Sequence, residues 1–341
     1  TVGSPYDDSD QAFTVKGTVN VQRPGDEVET FQVGASEWIN WTVAGLTNAD
    51  LVKIKFARYG DFNSSTTLTS AENATNGTWL WSPIPDDTTV TNTAKIRVEH
   101  ASDSSVGGES VSGFYIKPIL YLITPNGGDT AYIGQNLTLN WTSSGTVGNV
   151  YINYTTDNNN YTYSVEGRAF TPGESPYNWT IPAGAGLGSQ VKFKVMKVGD
   201  EANIFDTSND TLTIRGILNI TQPDGDEVWE VNTTKLIKWN RVGTAMGNIQ
   251  LRYTTDNATL DDYTHLIGNY SSGAGASGVE WDVPNVMAAN PGQVYNQIRL
   301  KILSLDDTTG TYDTSNKTFS IIPRFMVTAP LENETYAVND T

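Results

Sequence analysis

The chain has 341 residues, with 38 acidic against 21 basic side chains (formal net charge −17), two histidines and no cysteine. That charge balance excludes a nucleic-acid partner, which needs a basic face, and disfavours anionic membrane surfaces. The lack of cysteine removes thiol catalysis, zinc-thiolate and iron–sulfur sites and any disulfide, and no run approaches 18 apolar residues, so no membrane span is predicted.

Residues 1–17 read as an N-terminal extension. Its end, Phe13-Thr14-Val15-Lys16-Gly17-Thr18-Val19-Asn20-Val21, alternates for longer than any later opening strand. A repeating unit of about 100 residues follows. Three copies, 18–117, 118–216 and 217–323, open with VNVQRPGDEVETFQV, LYLITPNGGDTAYIG and LNITQPDGDEVWEV, and FMVTAPLENETYAV opens a fourth within 324–341. Pro24, Pro125, Pro223 and Pro330 mark the period, at spacings of 101, 98 and 107 residues. No initiator Met or leader precedes Thr1 and the fourth copy stops early, so the sequence is expected to be part of a longer chain.

Within each copy the pattern is β throughout, with short alternating segments separated by Gly, Asn, Asp and Pro clusters. Early in the copy stands Ile39-Asn40-Trp41, Leu139-Asn140-Trp141 or Ile237-Lys238-Trp239. In Asn136–Thr142, period-2 alternation turns Leu137, Leu139 and Trp141 to one face and Asn136, Thr138, Asn140 and Thr142 to the other. Next come Val52–Phe56, Val150–Asp157 and Ile249–Asp256, which put Lys55, Asn153 and Arg252 on the wet face. A second tryptophan follows (Trp81, Trp179, Trp281), then the strands Lys95–Val98, Val191–Val195 and Ile298–Ile302. The last two copies close with Asp206-Thr207-Ser208-Asn209 and Asp313-Thr314-Ser315-Asn316. Six or seven short strands per copy around buried tryptophan describe an all-β fold. They predict tandem immunoglobulin- or fibronectin-III-like β-sandwiches held by packing alone, without disulfides.

The succession P-x-G-[GD]-[DE], I/L-x-W, YTTD, W-x-[IV]-P and DTSN resembles the Ig-like domain of the Ser/Thr-rich GPI-anchored family. That domain is shared with fungal cell-wall β-glucan-assembly proteins and recurs in large prokaryotic surface glycoproteins. The resemblance covers residues 118–323 well and 18–117 loosely, the first copy having neither YTTD nor DTSN. It implies a structural or adhesive module of a cell envelope and carries no catalytic residue.

The second pattern is N-x-[S/T]. It occurs 17 times, at Asn40, Asn63, Asn73, Asn76, Asn136, Asn140, Asn153, Asn160, Asn178, Asn209, Asn219, Asn232, Asn257, Asn269, Asn316, Asn333 and Asn339. With 30 Asn and 68 Ser plus Thr in the chain, chance supplies about 6 such acceptor tripeptides. The excess predicts a secreted protein carrying covalent N-glycans at the cell surface.

Candidates for other chemistry are sparse. His100 and His265 fall at unrelated positions, no G-x-S-x-G is present, and the pairs Asp86-Asp87, Asp261-Asp262 and Asp306-Asp307 lie in predicted turns. The expectation is therefore no enzyme, no catalytic residue and no cofactor. Calcium at Asp26, Glu27, Asp129, Asp224, Asp226 and Glu227, near the repeat boundaries, is a minor alternative without a recognised loop spacing. Six tryptophans align as core positions, while Trp38, Trp79 and Trp229 do not; these carry the alternative of a carbohydrate-binding or adhesive module. Finally, Phe325, Met326 and Val327 form a first strand without a sandwich of its own. An unpaired apolar strand needs a partner, so 324–341 either donates a strand to the next subunit in a head-to-tail polymer or enters a fourth domain. The predicted partner is another copy of the chain, with cell-surface glycans as a further possibility and no nucleic acid. The expected role is subunit of a surface filament, stalk or layer.

Overall fold

The structure, a computed structural model, describes residues 11–25, 27–86, 92–255, 263–285 and 295–324. It is a tandem array of immunoglobulin/fibronectin-III-like β-sandwiches, joined without disulfides because there is no cysteine to form them. Helical structure among the described residues is limited to short 3₁₀ turns.

Each repeat packs a small sheet on a larger one. The small sheet has three antiparallel strands: Thr18–Arg23, Glu37–Ala44 and Thr78–Trp81 in the first repeat, Ile119–Thr124, Asn136–Ser144 and Tyr177–Thr180 in the second, and Ile217–Gln222, Thr234–Val242 and Val279–Asp282 in the third. After the first strand a landmark proline, which has no N–H to give the ladder, ends the pairing, and the chain crosses to the other sheet. There a three-residue strand (Thr30–Gln32, Thr130–Tyr132 or Val228–Glu230) runs parallel to the last strand of the repeat. The first and last strands are thereby tied across both sheets. The larger sheet is centred on the pairs Leu51–Ala57 with Lys95–His100, Val150–Thr155 with Gly188–Lys197, and Asn248–Thr254 with Tyr295–Ser304.

Three separate apolar cores lie between these sheets. The six aligned tryptophans are all inside: Trp41, Trp141 and Trp239 on the small sheet's middle strand, Trp81, Trp179 and Trp281 on its third. Trp41 and Trp239 also donate Nε1–H to the Ala74 and Ser272 carbonyls of a 3₁₀ turn, at 2.8 and 2.9 Å, so each buried indole has its polar atom satisfied. Trp229, unassigned in the repeat alignment, is a core residue as well. It sits on the crossing strand, where Phe31 and Ala131 stand in the other repeats, and packs on Trp281 and Phe319.

The extended N-terminal alternation does not become a longer strand. Thr18 pairs with Ala44, the last residue of the partner strand, so the ladder ends there; Lys16 instead meets Asp103 through its side chain, and Phe13 and Val15 are exposed. Residues 325–341, including Phe325, Met326 and Val327, lie outside the described residues.

The DTSN motif is a staple. Each first strand carries a bulge, at Leu122/Thr124 and Ile220/Gln222. The Asp206 and Asp313 carboxylates accept the neighbouring Leu122 and Ile220 amides at 2.8 and 2.7 Å. The buried Ser208 and Ser315 hydroxyls accept the Phe193 and Leu300 amides, and the Asn209 and Asn316 amides bond Asn126 and Asp224 in the landmark turn. The first repeat keeps only the serine, Ser110, on the Ile96 amide. Where the aspartate should be, the strand register puts Gly108 opposite Val98. A Cβ there would lie 2.2 Å from the Val19 carbonyl oxygen. The first copy thus replaces a carboxylate bridge by direct backbone approach, which only glycine permits. Asp206→Ala should cost the second repeat about 1–3 kcal/mol, the penalty of a buried amide left unpaired. Gly108→Asp should disrupt the first repeat instead of restoring the motif; urea titration of each variant measures both.

Candidate functional site: acceptor asparagines and repeat junctions

Of the 17 acceptor asparagines, Asn257, Asn333 and Asn339 lie outside the described residues; of the others none is buried, ten are exposed and Asn40, Asn73, Asn140 and Asn153 are half-buried. The outer face of the small sheets concentrates them. In the second repeat two tripeptides lie side by side and antiparallel, Asn136 opposite Thr180 and Thr138 opposite Asn178. The Thr180 hydroxyl donates to Asn136 Oδ1 at 2.6 Å and that of Thr138 to Asn178 Oδ1 at 2.9 Å. Each tripeptide's hydroxyl therefore pins the carbonyl side of the other's amide to the sheet, which leaves Nδ2, the atom that takes a sugar, on the opposite side. Thr78 does the same for Asn40 at 2.9 Å and Ser175 for Asn140 at 3.0 Å. Asn219 is exposed on the first strand of the third repeat, opposite Asn240. Asn232 occupies a turn at φ 56°, a left-handed conformation that asparagine tolerates.

Other acceptors are committed to the fold. Asn73 caps a 3₁₀ turn through Oδ1 and donates Nδ2–H to the Asn48 carbonyl at 2.6 Å. The alternation that assigned Asn153 to the wet face is only half right. Its Nδ2–H donates to the Tyr161 carbonyl, because Tyr163–Ser164 pairs alongside and folds the loop over it. Its tripeptide partner Thr155 is fully enclosed, bonded to Asp157. Asn160 and Asn316 are exposed, but their Nδ2–H groups bond Asp157 and Asp224. Asn63, Asn76, Asn209 and Asn269 are exposed.

The larger sheets carry a different chemistry. In the second and third repeats their outer faces hold Lys192, Lys194, Arg252, Arg299 and Lys301, unusual in so acidic a chain. Lys194 lies 3.9 Å over Phe205 and Lys301 lies 4.7 Å over Tyr312, at matching positions. The first repeat departs again. By register, Glu99 stands where Met196 and Leu303 stand in the others, and like them it is buried. Its oxygens meet Lys55 and Lys53 Nζ at 2.8 and 3.1 Å and Arg97 Nε at 2.7 Å. Burial pushes the Glu99 carboxyl up, but hydrogen bonds from Lys55 and Lys53 and the charges of Lys55 and Arg97 outweigh it, so its pKa lies below the ordinary range.

The repeats meet with single-residue linkers. Pro118 separates Tyr115–Lys117 from Ile119–Thr124, and Gly216 separates Leu212–Arg215 from Ile217–Gln222. At the first junction Ser144 Oγ donates to the Val33 carbonyl at 2.6 Å, and Thr146 bonds Asp86 through both N–H and Oγ1. At the second, Thr244 bonds the Ala183 carbonyl through the same two atoms, and Arg215 Nε meets Asp307 at 2.9 Å. Gly145 and Gly243, both at positive φ, face Val33 and Ile133 across the two joints.

His100 lies between Asp50, 3.4 Å from Nε2, and Ser102, 3.2 Å from Nδ1. Its Nδ1 also faces the Ser102 and Asp103 amides, so the ring clamps the turn after its own strand. His265, in another repeat, stacks on Tyr253 at 4.7 Å. Among the boundary carboxylates, Glu227 accepts the Asp224 and Gly225 amides, Asp224 holds Asn316, and Asp226 pairs with Lys317 at 2.6 Å. Among the described residues no group of three or more His, Asp or Glu side chains is placed to hold a metal ion, and no helix is long and apolar enough to cross a membrane.

No protein-family profile and no curated protein matches the chain. Solved structures do. Three N-terminal domains of the bacteriophage RB49 outer capsid protein Hoc are 12% identical, with 92% of this chain and 100% of that one covered at a TM-score of 0.35. A tetra-tandem repeat from the extending region of a large adhesion protein is 12% identical over 89% and 72% of the two chains, TM-score 0.32. The four N-terminal Ig domains of Dscam1 isoform 6.9 are 9% identical over 91% and 74%, TM-score 0.29.

The Glu99 cluster has a pH signature. Because the folded pKa is depressed, its stabilisation is complete above the unfolded value of about 4.3 and is lost as pH falls through the lowered folded value. Glu99→Met, which adopts the residue of the second repeat, should make the first repeat's urea midpoint less sensitive to pH between about 5 and 2. Equal pH dependence in the two proteins would remove Glu99 from the account.

Proposed function

We propose that this chain is an extracellular structural glycoprotein, a spacer whose repeats span distance and whose subunits join head to tail into a filament, stalk or layer. The observation that carries the reading is the junction: single-residue linkers, stapled twice by equivalent contacts, suit a chain that transmits length and load. The acceptor asparagines support the glycoprotein half. The amides of Asn40, Asn136 and Asn178 are pinned by threonine hydroxyls on the small-sheet faces, where N-glycans would shield exposed strands from proteolysis and lateral aggregation. The resemblance to the Ser/Thr-rich GPI-anchored family belongs to the same reading, as does a surface location. Segment 324–341 is the proposed donor to the neighbouring subunit, with Phe325, Met326 and Val327 as its apolar contacts.

A second reading, an adhesive or carbohydrate-binding module, is favoured by Trp38, which is 49% exposed beside Leu80 at 40%. Of the three unassigned tryptophans it alone is exposed, since Trp229 is in the core and Trp79 packs against it. One isolated ring, even beside Leu80, gives little of the extended row of rings that capturing a free sugar chain requires.

Peptide mass spectrometry of the native material, with electron microscopy of the full chain and of the chain lacking 324–341, tests the proposal. Glycan should be found on Asn136, Asn178 and Asn219, with Asn153 bare, and polymer should be lost on truncation. Unmodified asparagines throughout, or unchanged polymer from the truncated chain, would overturn the corresponding half.

A further inference from the structure

We infer that Trp38 and Leu80 form a docking platform for the N-glycan carried by Asn40, so that this sugar is a structural part of the first repeat. The inference rests on the glycoprotein reading above. Trp38 and Asn40 lie two residues apart on the strand Glu37–Ala44, hence on the same face and about 7 Å apart along it. Leu80 is the direct cross-strand partner of Trp38, and Thr78, the next outward residue on that strand, is the partner of Asn40. The Thr78 hydroxyl holds Asn40 Oδ1, which fixes the amide plane beside the platform.

Two large apolar side chains directly opposite each other on a solvent face are costly to leave wet. They offer the flat, C–H-accepting surface that the apolar face of a pyranose ring covers. A glycan on Asn40 is tethered to the same strand, so its effective concentration over the platform is high and little ordering entropy is lost on docking.

The other repeats supply an internal control. In register, the Trp38–Leu80 pair becomes Thr138–Asn178 in the second and Leu236–Glu280 in the third. Asn140 is the equivalent of Asn40, yet the positions of Trp38 and Leu80 hold the polar Thr138 and Asn178, and the exposed apolar residues Tyr121 and Ile123 lie on the other neighbouring strand. A glycan there lacks the tryptophan–leucine seat, and its removal should not depend on residue 138.

The test is a double-mutant cycle on the full glycosylated chain, after mass spectrometry has established occupancy of Asn40. Trp38→Thr is the chosen variant because the second repeat already carries threonine at that position. In the presence of Trp38, Asn40→Gln should lower the melting temperature of the first repeat by about 4 °C or more. In the Trp38→Thr background it should lower it by much less, and Asn140→Gln should show no such coupling. Removing glycans enzymatically from the unmutated chain should also raise acrylamide quenching of tryptophan fluorescence, with the increase absent from Trp38→Thr. Equal losses in both backgrounds, or unchanged quenching, would overturn the platform while leaving the glycoprotein reading intact. A bare Asn40 among occupied acceptors would also overturn the platform. Bare asparagines throughout would instead defeat the glycoprotein reading on which it rests.

Discussion

The single residue between the last strand of one sandwich and the first strand of the next is the constraint on which the rest of this molecule depends. Pro118 and Gly216 leave the chain no length in which to turn away, so the end of each repeat is also the beginning of its neighbour. Within a repeat, the crossing strand pairs in parallel with the last strand, so the entry strand is linked to the exit strand through the landmark turn and that pairing. Across a joint, Ser144 and Thr146, or Thr244 and Arg215, fasten the turn of one sandwich to the edge of the other. Glycine at 145 and 243 keeps the surfaces close enough for those bonds to form.

The two sheets then divide their outward faces. The small sheets present threonine and acceptor asparagine, paired strand to strand in the second repeat, with exposed apolar side chains among them, of which Trp38 and Leu80 in the first repeat are a directly opposed pair beside an acceptor. The larger sheets present lysine and arginine stacked on aromatic rings, with Glu99 at the centre of three cations in the first repeat. Part of the chain's negative charge is held in staples, Asp206 and Asp313 on strands of the larger sheets and Asp307 at the joint. Of the carboxylates near the repeat boundaries, Glu227 and Asp224 accept turn amides and Asp226 pairs with Lys317.

Much of this was legible in the sequence. Period-2 alternation placed Trp41, Trp141 and Trp239 inside because one residue's slip would have exposed every apolar side chain on the strand. The match of YTTD and DTSN across two repeats signalled a shared turn chemistry, although the bonds it makes, an aspartate to a bulge amide and a serine to a strand amide, required coordinates. Alternation placed Asn153 on the same face as Lys55 and Arg252, but it speaks only of a strand's two faces and could not show that the Nδ2–H is taken by the Tyr161 carbonyl of the adjoining loop. It missed Trp229 because the crossing strand is only three residues long, too short to show a period. It overran at Phe13 and Val15 because pattern cannot report where the partner strand ends. The Glu99 cluster was hidden for a related reason: the position reads as apolar in two repeats and charged in one, which only the cross-strand register brings into line.

The most direct test of the central claim is small-angle X-ray scattering of the chain lacking 324–341, across a range of ionic strength. A stapled array predicts one extended particle whose maximum dimension stays constant as salt is raised, since the joint is held by steric fit and neutral hydrogen bonds as well as by charge. A broad distribution of shapes, or a maximum dimension that shrinks as salt screens repulsion between the acidic repeats, would mean independent sandwiches on hinges and would contradict the spacer account.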